Sequence, residues 1–255
     1  MTTTFIDAAC APPVPPPVPA ADRTLRPLGP WRALGWIVLG VLAARAVAVL
    51  YRHSLGAWNL AHPGRPIPLP EASGLSNAIL FAATLAVFLA TLLLACRCAG
   101  WRAVDCLALV RPRGPWLRLA AAASIVPLAV LIAAAVASAP PDHPPKAGID
   151  LVLLLIGLIV VAPVVEELTF RGFLFRALAE SRLGAAGAIV LTALMWAGLH
   201  IDKSWLGMAA MLFTGLVWGW LRWRTQSTLV TIAVHALNNL VAGTGLVVAA
   251  LAGAS

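Results

Sequence analysis

The stretch that decides the fold is Val164-Val165-Glu166-Glu167-Leu168-Thr169-Phe170-Arg171-Gly172. It follows Asp150–Val165, a run that is almost entirely apolar. A charge near the centre of a bilayer costs at least roughly 2.5–3.5 kcal/mol on insertion scales, so two adjacent carboxylates at the end of such a run mark a functional site or a helix end reaching the interface. Adjacent helical residues point about 100° apart, so the two carboxylates cannot face one partner. Glu167 and Arg171 stand at i, i+4 with the acid first, the favourable order for an ion pair. This predicts that Arg171 neutralises Glu167 and leaves Glu166 for other work. The bland alternative is that both acids cap the cytoplasmic end of a span.

Working outward, the chain of 255 residues is 61% hydrophobic and 11% charged, well below the roughly one quarter charged of soluble domains. Several apolar runs reach the roughly 20 residues needed to cross about 30 Å of hydrocarbon. They are apolar on every side, which excludes a soluble bundle with polar outer faces. The expected fold is all-α, a polytopic transmembrane helical bundle of about seven spans. These fall near Pro30–Tyr51, Gly74–Cys96, Trp116–Ser138, Asp150–Leu168 (continuing as helix to near Ser181), Ala185–His200, Trp205–Leu221 and Thr228–Leu251. Arg97–Gly114 reads as an arginine-bearing loop or surface helix. Residues 1–28 form a Pro-rich tail with no core and no secretory h-region. Residues 29–149 hold transmembrane helices without motifs, and 150–251 a motif-bearing core of four spans.

The net charge is +8, and its placement says more than its sign. Arg23, Arg26 and Arg32 precede the first span. Arg97, Arg102, Arg111, Arg113 and Arg118 follow the second, Arg171, Arg176 and Arg182 the fourth, and Arg222 and Arg224 the sixth. The alternate loops hold only Arg52, Arg65, Lys146 and Lys203. Cytoplasmic loops collect Lys and Arg, so the N-terminus is expected in the cytoplasm and the C-terminus outside. Charge confined to span ends argues against nucleic acid as a partner; the expected partner surface is membrane lipid. The excess of Arg over Lys, with many Ala and Pro, suggests a GC-rich bacterial genome and hence the bacterial cytoplasmic membrane. Arg45, inside the first span, faces the bundle or snorkels to an interface. Cys10, Cys96, Cys98 and Cys106 show no zinc spacing, and their expected cytoplasmic side predicts four unpaired thiols.

Three further polar residues stand in the apolar segments. His200 closes Leu194-Met195-Trp196-Ala197-Gly198-Leu199-His200, with Trp196 one turn earlier on the same face, placed to orient the imidazole; alone, such a histidine also suits an interface. His235 and Asn239 stand at i, i+4 in the last span and face one way. They sit too deep to be interfacial, though they could simply bond to a neighbouring helix. If the fourth and fifth spans form a hairpin turning near Leu183, Glu166 and His200 lie at equal offsets from the turn. A hairpin protruding roughly 10 Å into the cytoplasm then brings both near the level of His235.

Glu166-Glu167-x-x-x-Arg171, an aromatic-x-x-x-His ending in His200, and His235-x-x-x-Asn239 together resemble the three motifs of the CPBP (CAAX protease and bacteriocin-processing, or Abi) family of intramembrane proteases. The resemblance covers about residues 150–245; Trp196 stands where the second motif usually has Phe. It implies a CAAX prenyl endopeptidase-like hydrolase that cleaves a membrane-associated protein or peptide. Glu166 would activate water with help from His200, His235 and Asn239 would stabilise the oxyanion, and Glu167 and Arg171 would support them. The family has been described both as metalloproteases and as glutamate-dependent proteases. Glu166, His200 and His235 could supply three zinc ligands, but one glutamate cannot easily be both ligand and base. The glutamate-activated water without a cofactor is therefore favoured, no metal is assigned, and zinc stays the alternative. A non-catalytic scaffold or bacteriocin self-immunity protein of the same fold is the competing reading. A proton-coupled transporter ranks last, since no repeated halves or broken helices are legible.

Overall fold

The computed structural model describes residues 28–70, 74–136, 148–201 and 203–252. Most of the expected Pro-rich tail lies outside these. Among the described residues the chain is all helix and turn. We label the helices α1 (Pro30–Ala61), α2 (Gly74–Cys98), the short α3 (Ala103–Cys106), α4 (Trp116–Val136), α5 (Ile149–Ala179), α6 (Gly184–Gly198), α7 (Trp205–Thr225) and α8 (Thr228–Ala252). A helix lies at each of the seven expected positions, although seven spans are not thereby shown. The largest departure is α1, which runs ten residues past the expected end at Tyr51 to Ala61; its 32 residues are roughly 48 Å long at about 1.5 Å per residue. Four helices, α1, α2, α4 and α5, are long and apolar enough to cross a membrane. α6 is apolar but has only 15 residues. Large apolar side chains such as Val38, Leu42, Phe81, Ile125 and Val160 are exposed along these helices, as expected of surfaces that face lipid rather than water. Arg45 is exposed as well, which fits snorkelling rather than burial in the bundle.

The packed core sits toward one end of the bundle. It joins Ala33 of α1, Leu92 and Cys96 of α2, Leu107, Phe173 and Leu174 of α5, Trp196 of α6, Trp218 and Leu221 of α7, and Val230 and Val234 of α8. α6 lies tightly on α7 because Gly215 and Gly219, one turn apart, face Ala193 and Ile189. A Cβ on Gly215 would come within 3.0 Å of Ala193, and one on Gly219 within 3.2 Å of Ile189. This is the small-xxx-small packing that lets membrane helices approach closely.

The segment between α2 and α4 is knitted into the core instead of lying on the surface. Thr228 donates from its backbone N–H to Ala108 O and from Oγ1 to Leu107 O (2.9 and 2.7 Å), and Ser227 Oγ bonds Val110 O at 2.6 Å. Arg176 of α5 bonds Asp105 O and lies 3.7 Å over the Trp101 ring. The expectation of four unpaired cysteines is overturned: Cys96 and Cys106 form a disulfide, with Cα atoms 6.0 Å apart. Both are fully buried where α3 folds back on the last turn of α2; the expectation rested on the cytoplasmic side of this segment, where disulfides are rare, so the bond runs against that topology. Cys98 is free and exposed; Cys10 lies outside the described residues.

Candidate active site

The site is built on α5, and α5 is not a regular helix. It contains two π segments, Gly157–Val161 and Leu168–Leu174, on either side of an α-helical block, Ala162–Glu167. Such bulges insert a residue into the helical ladder and recur at functional sites. Each leaves a backbone carbonyl to be satisfied from elsewhere. At the first, Ala162 N–H bonds back five residues to Gly157 O. The next donor in that register would face Leu158 O, but it is Pro163, which has no N–H. Asn239 Nδ2 of α8 donates to Leu158 O instead, at 2.8 Å. At the second, Phe175 N–H reaches Phe170 O and Gly172 O, bypassing Arg171 O. Arg222 Nε of α7 donates there at 2.9 Å.

The two glutamates between the bulges point into different surroundings. Glu167 is fully buried. Its Oε1 accepts from Arg171 Nη1 at 3.0 Å and lies 3.0 Å from His235 Nδ1. Arg171, equally buried, also reaches Gly215 O with Nη2 at 3.4 Å. The i, i+4 ion pair expected from sequence is thus present, with His235 as a third member. A carboxylate only accepts, so Nδ1 of His235 carries the hydrogen and Nε2 is the nitrogen left for other partners. The His235 ring is held between Trp218 and Trp196, with centroids 4.4 and 5.8 Å away.

Glu166 is only partly buried. Its Oε2 accepts from Trp196 Nε1 at 2.5 Å, and its Oε1 has no hydrogen-bond partner among the described residues. This contact joins α5 to α6 across the expected hairpin, whose turn runs from Glu180 to Leu183. It falls at Trp196, one turn nearer the turn than the equal offsets place His200. His200 belongs to the same group: its Nδ1 donates to Trp196 O at 3.0 Å, and the two rings pack edge-on with centroids 5.1 Å apart. Its Nε2 is therefore the unbonded nitrogen. Trp196 is the hub, touching Glu166, His200 and His235, with the Arg171 guanidinium 4.9 Å from its ring.

Six of the seven residues singled out from sequence thus form two linked groups, Glu166–Trp196–His200 and Glu167–Arg171–His235. Asn239 stands on the first bulge. Sequence reading missed Trp218, Gly215, Pro163 and Arg222. Gly172 was quoted without a role; a Cβ there would meet Leu107 O at 3.0 Å, so any larger residue would crowd the second bulge against the backbone of the α2–α4 segment. As for zinc, no three His, Cys, Asp or Glu side chains converge to hold a metal ion among the described residues. Glu166 Oε1, His200 Nε2 and His235 Nε2 are each left unbonded among the described residues, but without convergence on one point Glu166, His200 and His235 do not form a zinc site as placed.

Fold and site together define a helical, membrane-type protein with a buried acid–base network in its C-terminal half. Residues 148–241 match the family model of the type II CAAX prenyl endopeptidases, Rce1-like, and this part of the chain is a domain of that family, within the wider CPBP or Abi group. The match runs from the start of α5 well into α8 and includes all seven residues. It implies a peptidase and suggests an intramembrane one. No curated protein and no solved structure gives a significant match to the chain.

Proposed function

We propose that this protein is an intramembrane endopeptidase that hydrolyses a peptide bond of a membrane-associated protein or peptide, with Glu166 as the group that activates water. The observation that carries this is the unequal use of the adjacent carboxylates. Glu167 is consumed by Arg171 and His235, while Glu166 is held through one oxygen by a neutral indole N–H and keeps the other free in a partly open position. A carboxylate oriented but not ion-paired suits a general base.

In this reading Glu166 Oε1 takes a proton from water as the oxygen attacks the carbonyl carbon. The C=O electrons move onto oxygen. His235, and the second amide hydrogen of Asn239 not used by Leu158 O, stabilise that oxyanion. Collapse of the tetrahedral species breaks the C–N bond, and the proton on Glu166 passes to the leaving amine. His200, through Nε2, assists the water. Trp196 supports Glu166 and His200; Glu167 and Arg171 support His235. We further propose that all seven long helices cross the membrane, N-terminus inside and C-terminus outside, in a bacterial cytoplasmic membrane. Residues 150–251 would form the catalytic core, 29–149 its motif-free companions, and 1–28 a cytoplasmic tail.

The test is cleavage of a library of membrane-anchored peptides by the purified full-length protein in detergent, with and without a chelator. Cleavage at defined sites that survives the chelator is expected. A folded wild-type protein that cleaves nothing in either condition would turn the reading toward the non-catalytic scaffold or self-immunity protein.

A further inference from the structure

Arg222 was read from sequence only as one of the cations that set topology. We infer that it is a positioning residue for the site, acting through the backbone of Arg171; this rests on the peptidase reading. Arg222 is 5% exposed. Its Nε donates at 2.9 Å to the one carbonyl that the second π segment bypasses, and its guanidinium lies over the Phe175 ring at 5.2 Å. α7 therefore grips Arg171 at both ends: Gly215 O takes the guanidinium and Arg222 takes the main chain. Gly215, Trp218 and Arg222 are spaced i, i+3, i+7, one face of α7, and Trp218 packs on both Arg171 and His235.

The consequence is a relay of position. Arg222 fixes where Arg171 O lies, and with it the register of Leu168–Leu174. That register sets the height of the Arg171 guanidinium, which holds Glu167, which holds His235. A shift of this bulge toward regular helix would also rotate the preceding block that carries Glu166. Arg222 touches none of the reacting atoms; its effect is to keep three side chains aligned, and misalignment of about 1 Å at a reacting centre costs about 100-fold in rate.

The test compares Arg222→Met and Arg222→Lys with wild type in full-length protein. Met keeps bulk on Phe175 but has no donor, and because Arg222 forms no ion pair among the described residues, its removal strands no buried counter-charge. Lys keeps a donor. The Met variant is expected to lose about 100-fold in kcat with KM little changed, and Lys to recover most of it. Hydrogen exchange read by mass spectrometry should show faster exchange over 168–176 in the Met variant and not over α1 or α2. A folded Met variant with wild-type kcat and unchanged exchange in that segment would overturn the inference. If Met does not fold, Lys alone decides: near-normal kcat and exchange are expected, and a loss as deep as removal of Glu166 overturns it. If wild type cleaves nothing, the peptidase reading fails separately, and the exchange comparison still decides whether Arg222 holds the bulge.

Discussion

Glu166 and Glu167 are neighbours in sequence, yet the two sides of α5 on which they lie are built on different terms. On the Glu167 side the groups are sealed: Glu167 and Arg171 are fully buried and His235 is 4% exposed. Each is bonded to another charged or titratable group. On the Glu166 side Glu166, His200 and Asn239 are only partly buried, and their bonds run to neutral groups, an indole N–H and two backbone carbonyls. The sealed side is where a fold keeps its charges paired, because an unpaired one is costly there. The partly open side is where a carboxylate can hold a water and exchange a proton with it. In the proposed reading, this difference gives the two acids separate tasks, structure for Glu167 and chemistry for Glu166.

Substitutions can break this contrast in a graded order. The largest expected effect is Arg171→Met on the sealed side. It leaves Glu167 buried without its cation, and breaking such a pair costs about 3–5 kcal/mol; a large drop in the thermal unfolding midpoint in detergent is the readout. A smaller effect is expected at the first bulge. Asn239→Leu leaves Leu158 O without a donor, a loss of about 1–3 kcal/mol. Pro163→Ala restores a backbone N–H facing that carbonyl, so Asn239→Leu should cost about 1 kcal/mol less in the Pro163→Ala background. Additive effects in this double-mutant cycle would mean that Pro163 and Asn239 do not share the carbonyl. If the double variant is stable but does not cleave, Asn239 has its second, chemical task as well. The smallest stability effect is expected for Glu166→Gln, within about 0.5 kcal/mol, since the amide oxygen can still accept from Trp196 on a partly open face.

Much of this arrangement was legible in the chain, and the limits have physical causes. Helix positions followed from apolar run lengths, and the Glu167–Arg171 pair from its i, i+4 spacing. The hairpin followed from the turn near Leu183, but equal offsets put His200 rather than Trp196 level with Glu166, because residue counting assumes regular rise and ignores the reach of an indole. The two π segments were not legible as such. Pro163 was a signal for the first, since a proline inside a helix removes one donor, but which carbonyl is freed depends on the register adopted. The second has no such marker, and Arg222 looked like one more interfacial cation until its Nε was seen on Arg171 O. Gly215 and Gly219 did carry a readable small-xxx-small spacing that was not used. The Cys96–Cys106 disulfide was not expected because the cytoplasmic side read for this segment argues against pairing.

The most direct test of the division of labour is a paired measurement on Glu166→Gln and Glu167→Gln: initial rate of peptide cleavage and thermal midpoint, on the same detergent preparations. The account predicts that Glu166→Gln keeps the wild-type midpoint and loses at least about 100-fold in cleavage rate. Glu167→Gln, which strands the Arg171 cation, should lower the midpoint sharply. Wild-type cleavage by a folded Glu166→Gln protein would contradict it.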